Sequence, residues 1–124
     1  MAERRHQNLP TPIEALHDAA ALARLHALAF DDGAWSARAF ADMLAQKTVT
    51  ALGHADGFIM LQHMPDGVEI LTLAVHPEKR RCGLARRLMA HMITTLQPAK
   101  IWLEVAADNA AAQALYQGLS LIHI

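Results

Sequence analysis

Three strand-like segments between residues 48 and 75 constrain the fold more than any other feature of this sequence. They cover Thr48–Leu52, Gly57–His63 and Val68–Val75, and the short segments GHAD and MPDG separate them. Gly, Pro, Asn and Asp are the residues that tight connections between antiparallel strands use. The pattern therefore predicts an antiparallel meander of three strands.

The third segment, Val68–Val75, is predicted to lie inside the sheet. If the strand is regular, both of its faces are mostly apolar: Ile70 and Ala74 lie on one, and Leu71, Leu73 and Val75 on the other. A strand that is apolar on both faces is typical of a sheet that is covered on both sides. We therefore expect a central strand here.

Helical patterns flank the meander. Thr11 is a suitable N-cap with Pro12 at the first helical position, and Ser36 is a second N-cap. The further predicted elements are helices over Ile13–Phe30, Ala37–Gln46, Gly83–Leu96 and Asn109–Gly118, and a strand over Lys100–Ala106. This order predicts an α/β fold, with a mixed central sheet made of the antiparallel meander plus a parallel strand, flanked by helices.

Composition limits the class of protein. Of 124 residues, 53% are hydrophobic and 19% are charged, which supports one packed domain and not a disordered chain. The net charge of −1 gives no general affinity for nucleic acid or for a membrane surface. No apolar segment is long enough to span a membrane, and MAERRHQNLP is not followed by the apolar region of a signal peptide.

Cysteine and histidine usage restricts the chemistry further. Cys82 is the one cysteine, which excludes an intramolecular disulfide and fits a cytoplasmic protein. The eight histidines lack the close spacing of metal ligands, so we expect no metal site. We interpret them as surface and boundary residues.

The segment RRCGLARR joins the predicted central strand to the helix that follows it. Gly83 and the small Ala85 let a ligand approach the backbone, and the first N–H groups of a helix have no intrahelical partner. Cationic residues crowd this helix N-terminus, which is already positive: Lys79, Arg80, Arg81, Arg86 and Arg87. A bound pyrophosphate would resolve the repulsion. The alternative is a solvated basic face.

Two motifs in this order resemble the GNAT family of N-acetyltransferases. Leu73–Val75 followed by Arg80-x-x-Gly83-x-Ala85 resembles the acetyl-CoA motif of that family. The second motif resembles its following strand and helix, and comprises Trp102–Val105, Asn109–Ala112 and Leu115–Tyr116. The resemblance covers about Thr11–Gly118.

The resemblance implies acetyl-CoA as the co-substrate and no metal ion. It implies that the backbone of Leu73, Ala74 and Val75 contacts the pantetheine and the acetyl carbonyl, and that Asn109 holds the pantetheine arm. The residues implied at the pyrophosphate are Arg80, Arg81, Cys82, Gly83, Leu84, Ala85 and Arg86.

The resemblance also implies two catalytic residues, Glu104 as general base and Tyr116 as general acid. An apolar strand environment would raise the pKa of a carboxyl such as that of Glu104, which suits a base. The alternatives are a solvent-exposed Glu104 paired with Lys100, and a Tyr116 packed in the core.

The implied reaction is acetyl transfer to a primary amine. Phe30, Trp35, Ser36 and Phe40 resemble a segment of the protein N-terminal alanine acetyltransferases that act on a ribosomal protein. A protein N-terminus is therefore the implied acceptor. Two alternatives stay open: a small-molecule amine acetyltransferase, and a non-catalytic module that binds CoA or a partner.

The end of the sequence is predicted to differ from the family. We expect one acetyltransferase domain over residues 1–118 without the family's final β-hairpin, which would leave the Lys100–Ala106 strand as an exposed sheet edge. Residues 119–124, LSLIHI, back-translate to a sequence that resembles a transposase end used in sequencing libraries, which indicates a non-native scar. A natural short strand is the alternative.

Overall fold

The computed structural model describes residues 12–30 and 32–103. In these residues one five-stranded sheet has the order β1-β2-β3-β4-β5, and three α-helices pack on it. The elements in chain order are β1 (Glu14–Ala15), α1 (Ala19–Ala29), α2 (Ala37–Leu44), β2 (Val49–His54), β3 (Gly57–Met64), β4 (Gly67–Val75), α3 (Leu84–Leu96) and β5 (Lys100–Trp102).

The predicted mixed α/β sheet is confirmed. Strands β1 to β4 pair antiparallel with their neighbours, and β5 pairs parallel with β4. The predicted three-stranded meander corresponds to β2, β3 and β4, and β4 lies between β3 and β5 as expected for a central strand. A 3₁₀ turn, Pro77–Lys79, lies in the connection from β4 to α3.

Strand β4 contains a bulge. Met60 pairs with Thr72, whereas the next residue of β3, Leu61, pairs with Ile70. Leu71 is therefore an extra residue without a partner on β3. Because successive side chains of a strand point to opposite faces, one extra residue exchanges the two faces from that point onward.

The bulge corrects the predicted faces of β4. Ile70 belongs to the same core cluster that Leu73 and Val75 pack against, and Leu71 packs against the cluster that contains Ala74. The assignment of Ile70 with Ala74, and of Leu71 with Leu73 and Val75, was wrong. It assumed an unbroken alternation, which the bulge at Leu71 interrupts.

The two faces of the sheet carry different cores. Helix α3 covers one face with an apolar stripe, whose buried members are Leu84, Leu88, Met89 and Met92. Helices α1 and α2 cover the other face, where Phe40 of α2 packs near Phe58 of β3. The sheet is thus covered on both sides.

The first helix is shorter than predicted at its N-terminal end. Glu14 and Ala15 pair with Gly53 and Leu52 as strand β1, and α1 begins only after Asp18. The prediction of a helix from Ile13 was wrong because pairing with β2 outweighs the local helix propensity of these residues. The proposed N-cap, Thr11, lies outside the described residues.

The second helix agrees with its prediction. Ser36 precedes α2, and its hydroxyl accepts a hydrogen bond from the N–H of Ala39 at 3.1 Å. The predicted helix over Asn109–Gly118 and the end of the Lys100–Ala106 strand lie beyond residue 103. In the described part of the chain, no helix combines the length and apolar character that a membrane crossing requires.

Candidate functional site

The connection from β4 to α3 is held in place by hydrogen bonds of its first residues. The His76 N–H donates to the carbonyl of Asp56 at 2.7 Å, which ties the end of β4 to the β2–β3 turn. The Nδ1 atom of His76 accepts a hydrogen bond from the N–H of Glu78 at 3.1 Å. The backbone carbonyl of His76 accepts one from the N–H of Lys79 at 2.8 Å. The loop that follows therefore starts from a fixed position.

Two residues of this loop have left-handed backbone conformations. Arg81 has a φ of 69° and Gly83 a φ of 79°. Only glycine adopts such angles without steric cost, so a non-glycine residue there indicates a locally specified backbone. A Cβ built on Gly83 would meet no heavy atom within 4 Å, so the space around this residue is open to a ligand.

The N-terminus of α3 begins at this loop. Gly83 is its N-cap residue, and no side chain caps the helix. The N–H groups of a first helical turn point out of the helix, and consecutive backbone N–H groups in a loop of this kind form a concave anion-binding nest. The backbone therefore fits a phosphate group.

The side chains around the loop are strongly cationic. Lys79, Arg81 and Arg86 are exposed, and Arg87 is half-buried. The first turn of α3 contains no acidic residue, and Glu78 precedes the loop in the 3₁₀ turn. A pyrophosphate suits both this charge and the backbone, and its binding here stays a prediction.

Arg80 makes a contact that the sequence did not indicate. Its guanidinium Nη2 donates to the carbonyl of Ala29 at 2.9 Å, and Ala29 is the last residue of α1. The final carbonyls of a helix have no intrahelical partner and carry partial negative charge, so a guanidinium suits this end. The Arg80 side chain thus connects the loop to α1, and a role of this residue at the pyrophosphate stays a prediction.

One edge of β4 is available beside the loop. Leu73, Ala74 and Val75 pair with β3, whereas the pairing of β4 with β5 covers Gly67 to Glu69. Among the described residues, no strand pairs with the other edge of β4 at Leu73–Val75. This backbone is where the resemblance expects the pantetheine and the acetyl group.

The predicted residues Glu104, Asn109 and Tyr116 lie outside the described residues, and their roles stay predictions. Lys100, which was considered as a partner of Glu104, forms an ion pair with Asp66 at 3.3 Å. In the described part of the chain, no three His, Cys, Asp or Glu residues are placed to hold a metal ion.

His26 is the residue that the sequence interpretation missed. Its side chain is only 2% exposed, so the assignment of the histidines to the surface and to boundaries was wrong for this residue. Nδ1 accepts from the N–H of Trp35 at 3.0 Å, and Nε2 lies 3.1 Å from the hydroxyl of Thr72. Burial lowers the pKa of His26, which favours the neutral imidazole.

Comparison with known proteins identifies the family of this fold. The Acetyltransferase (GNAT) family profile matches residues 7–120. The chain belongs to the GNAT acetyltransferase family. The family match includes both motifs and the whole β4–α3 junction.

Two similar proteins come from bacteria. The ribosomal protein bS18-alanine N-acetyltransferase of Escherichia coli is 37% identical over 92 residues, which cover 68% of this chain and 62% of the relative. The enzyme of the same name from Salmonella typhimurium is 39% identical over 74 residues, covering 57% of this chain and 50% of the relative. The chain thus spans less than two thirds of the length of these relatives.

A solved GNAT structure agrees with the fold described above. The crystal structure of the ribosomal-protein-S18-alanine N-acetyltransferase from Escherichia coli superposes with a TM-score of 0.78 at 32% identity. The superposition covers 87% of this chain and 75% of that chain. The mixed sheet and its flanking helices are therefore the GNAT fold.

Proposed function

We propose that this protein is an N-acetyltransferase that moves the acetyl group of acetyl-CoA to a primary amine. The observation that carries the proposal is the β4–α3 junction, where a left-handed, glycine-containing loop leads into an uncapped helix in a GNAT chain. Acetyl-CoA is the co-substrate of this family, and its pyrophosphate suits the cationic loop.

The proposed chemistry uses the open edge of β4. The thioester would lie along Leu73–Val75, where a backbone N–H near Val75 would stabilise the negative charge that develops on the carbonyl oxygen. The neutral amine attacks the carbonyl carbon, and the C–S bond breaks. Glu104 would accept the proton of the amine, directly or through water, and Tyr116 would protonate the departing CoA thiolate.

For the acceptor, we propose the α-amino group of a protein N-terminus. The Escherichia coli and Salmonella typhimurium relatives are named as alanine N-acetyltransferases of ribosomal protein bS18. We infer the same class of acceptor for this chain, a ribosomal protein with N-terminal alanine, and therefore a reaction in the cytoplasm. The sequence identity between these relatives and this chain supports the proposed acceptor.

The test presents this chain with acetyl-CoA and three acceptors. One is a peptide with a free N-terminal alanine, the second is the same peptide with a blocked N-terminus, and the third is a polyamine. We expect mass spectrometry to detect acetylation of the free peptide only. Acetylation of the polyamine alone would contradict the acceptor proposal. Acetyl-CoA binding without any acetylated product would contradict catalysis.

The substitution Glu104→Gln sharpens the same experiment. General-base catalysis typically contributes about 10²–10⁴-fold in rate, so we expect a loss of about that size in kcat. The dissociation constant of acetyl-CoA, measured by calorimetry, should stay within about twofold because the base acts on the amine and not on the cofactor. A parallel loss of turnover and affinity would contradict the assignment of Glu104 as the base.

A further inference from the structure

A buried histidine is joined to the strand that the proposed function uses. The Nε2 atom of His26 lies 3.1 Å from the hydroxyl of Thr72 in β4. Thr72 directly follows the bulge residue Leu71 and directly precedes Leu73. Neither the family motifs nor the proposed chemistry assigns a role to His26 or to Thr72.

The surroundings of His26 define its protonation. The N–H of Trp35 donates to Nδ1 at 3.0 Å, so Nδ1 is an acceptor and carries no proton. The neutral ring then carries its proton on Nε2, and this N–H donates a hydrogen bond to the Thr72 hydroxyl. Aromatic rings surround it, with centroids 4.4 Å away for Phe30 and 5.4 Å away for Phe40. The orientation of the imidazole is thus fixed by both nitrogens.

The bulge makes this hydrogen bond important for the strand. Leu71 has no partner on β3, and the pairing of β4 with β5 in the described chain ends at Glu69. The segment after the bulge is therefore paired along one edge in the described structure. The hydrogen bond from the buried His26 ring fixes this segment of β4 at a further point, Thr72.

Helix α1 contacts this part of the chain at two places. His26 contacts Thr72 before the predicted acetyl site, and the carbonyl of Ala29 accepts from Arg80 at 2.9 Å in the loop after it. The two contacts bracket Leu73–Val75 and the start of the predicted pyrophosphate loop. One rigid helix thus sets the distance between the two parts of the site.

We propose that His26 is a positioning residue, which holds Thr72 and so fixes the backbone of Leu73–Val75 against acetyl-CoA. The inference rests on the proposed function, because it assumes that acetyl-CoA binds along this edge of β4. His26 touches neither the cofactor nor the acceptor in this scheme. It affects the reaction by fixing the backbone geometry of β4.

The chain offers a matched control for the test. Thr50 in β2 and His63 in β3 form a second threonine–histidine hydrogen bond, at 2.8 Å, which is also partly buried. Thr72→Val and Thr50→Val each replace a hydroxyl with a methyl group of similar size and remove one such bond. We expect both to lower stability, but only Thr72→Val to change the interaction with acetyl-CoA.

The experiment measures the dissociation constant of acetyl-CoA and kcat/KM for a free N-terminal alanine peptide. We expect Thr72→Val to lose at least about tenfold in kcat/KM or in acetyl-CoA affinity, and Thr50→Val to stay within about twofold. Thr72→Ser, which keeps the hydroxyl, should recover most of the loss. Equal behaviour of Thr72→Val and Thr50→Val would overturn the proposal.

The remaining outcomes are also decisive. If Thr72→Val does not fold, Thr72→Ser and Thr72→Ala are compared, because they differ only in the hydroxyl, and equal kinetics would overturn the proposal. If the wild type binds acetyl-CoA but transfers no acetyl group, the proposed function fails, and the affinity difference between the two valine variants still decides the role of His26. Absence of acetyl-CoA binding by the wild type would overturn both.

Discussion

The three helices of the described structure begin in two different ways. In α1 the Asp18 carboxylate accepts from the N–H of Ala21 at 3.1 Å, and in α2 the Ser36 hydroxyl accepts from the N–H of Ala39 at 3.1 Å. Helix α3 begins at Gly83, which has a left-handed conformation and no capping side chain. Capping side chains thus stabilise α1 and α2, whereas the N-terminus of α3 follows the cationic loop directly and has no capping side chain.

This difference separates stability from binding. A capping side chain satisfies an N–H group that would otherwise lack an intrahelical partner, and it stabilises the helix. An uncapped N-terminus keeps those N–H groups for an anion, but the helix must then be stabilised by its packing. In α3 the packing comes from the stripe buried against the sheet.

The largest expected effect concerns this stripe. Leu88→Ala should lower the free energy of unfolding by about 2–5 kcal/mol, because Leu88 is fully buried and the truncation leaves a cavity. Chemical denaturation measures this loss. Thr94→Ala, on the exposed face of α3, is the control and should change stability by less than about 0.5 kcal/mol. A loss below about 1 kcal/mol for Leu88→Ala would mean that α3 does not depend on its packing.

The second prediction compares two glycines with similar positive φ angles. Gly83 has a φ of 79° and Gly33 a φ of 73°, and a Cβ on either would meet no heavy atom within 4 Å. Alanine at each position should cost about 1–2 kcal/mol of stability through backbone strain alone. Only Gly83→Ala should also weaken acetyl-CoA binding, by about tenfold, because it disturbs the predicted nest.

Calorimetric titration of both glycine variants with acetyl-CoA measures this difference. The loss of acetyl-CoA affinity caused by Gly83→Ala should be smaller at high salt. Salt screens the exposed arginines, and this also reduces their contribution to binding in the wild type. If both variants weakened acetyl-CoA binding equally, the loop before α3 would not be the pyrophosphate site.

The smallest effect is expected at a capped helix. Ser36→Ala should lower the free energy of unfolding by about 1 kcal/mol, since the N–H of Ala39 loses its acceptor. Acetyl-CoA affinity should not change, because this N-terminus lies in α2 and not in the loop. Thermal unfolding with and without acetyl-CoA checks both statements. A ligand-induced shift that disappears in Ser36→Ala would show that the cap and the cofactor site are not independent.

Much of the fold follows from local sequence patterns. The two turns of the meander, the Ser36 cap and the helix predicted over Gly83–Leu96 are each set by residues close together in the chain, and the structure confirms them. The β4–α3 loop was also recognisable, because glycine and clustered arginines after a central strand are a local signal. Its two left-handed residues, Arg81 and Gly83, agree with an unusual backbone there.

Residues far apart in the chain account for two incorrect predictions, at β1 and at His26, and for one contact that the sequence did not indicate. Glu14 and Ala15 form a strand because they pair with Gly53 and Leu52 of β2, which lie 39 and 37 residues further along the chain, and no local pattern encodes that pairing. His26 is buried because the rings of Phe40 in α2 and Phe58 in β3 pack against it, and its Nε2–H donates a hydrogen bond to the Thr72 hydroxyl. The Arg80–Ala29 contact joins residues 51 positions apart in the chain.

The bulge at Leu71 also determines which insertions and deletions the gene can tolerate. A residue gained in the Pro65–Asp66 turn lengthens an exposed connection. Deletion of Leu71 removes only the residue without a partner and leaves Thr72 opposite Met60 and Leu73 opposite Ile59, so Leu73 stays on the α3 side of the sheet. The bulge thus accommodates one extra codon in β4 without changing the faces of the strand on which the proposed acetyl site is built.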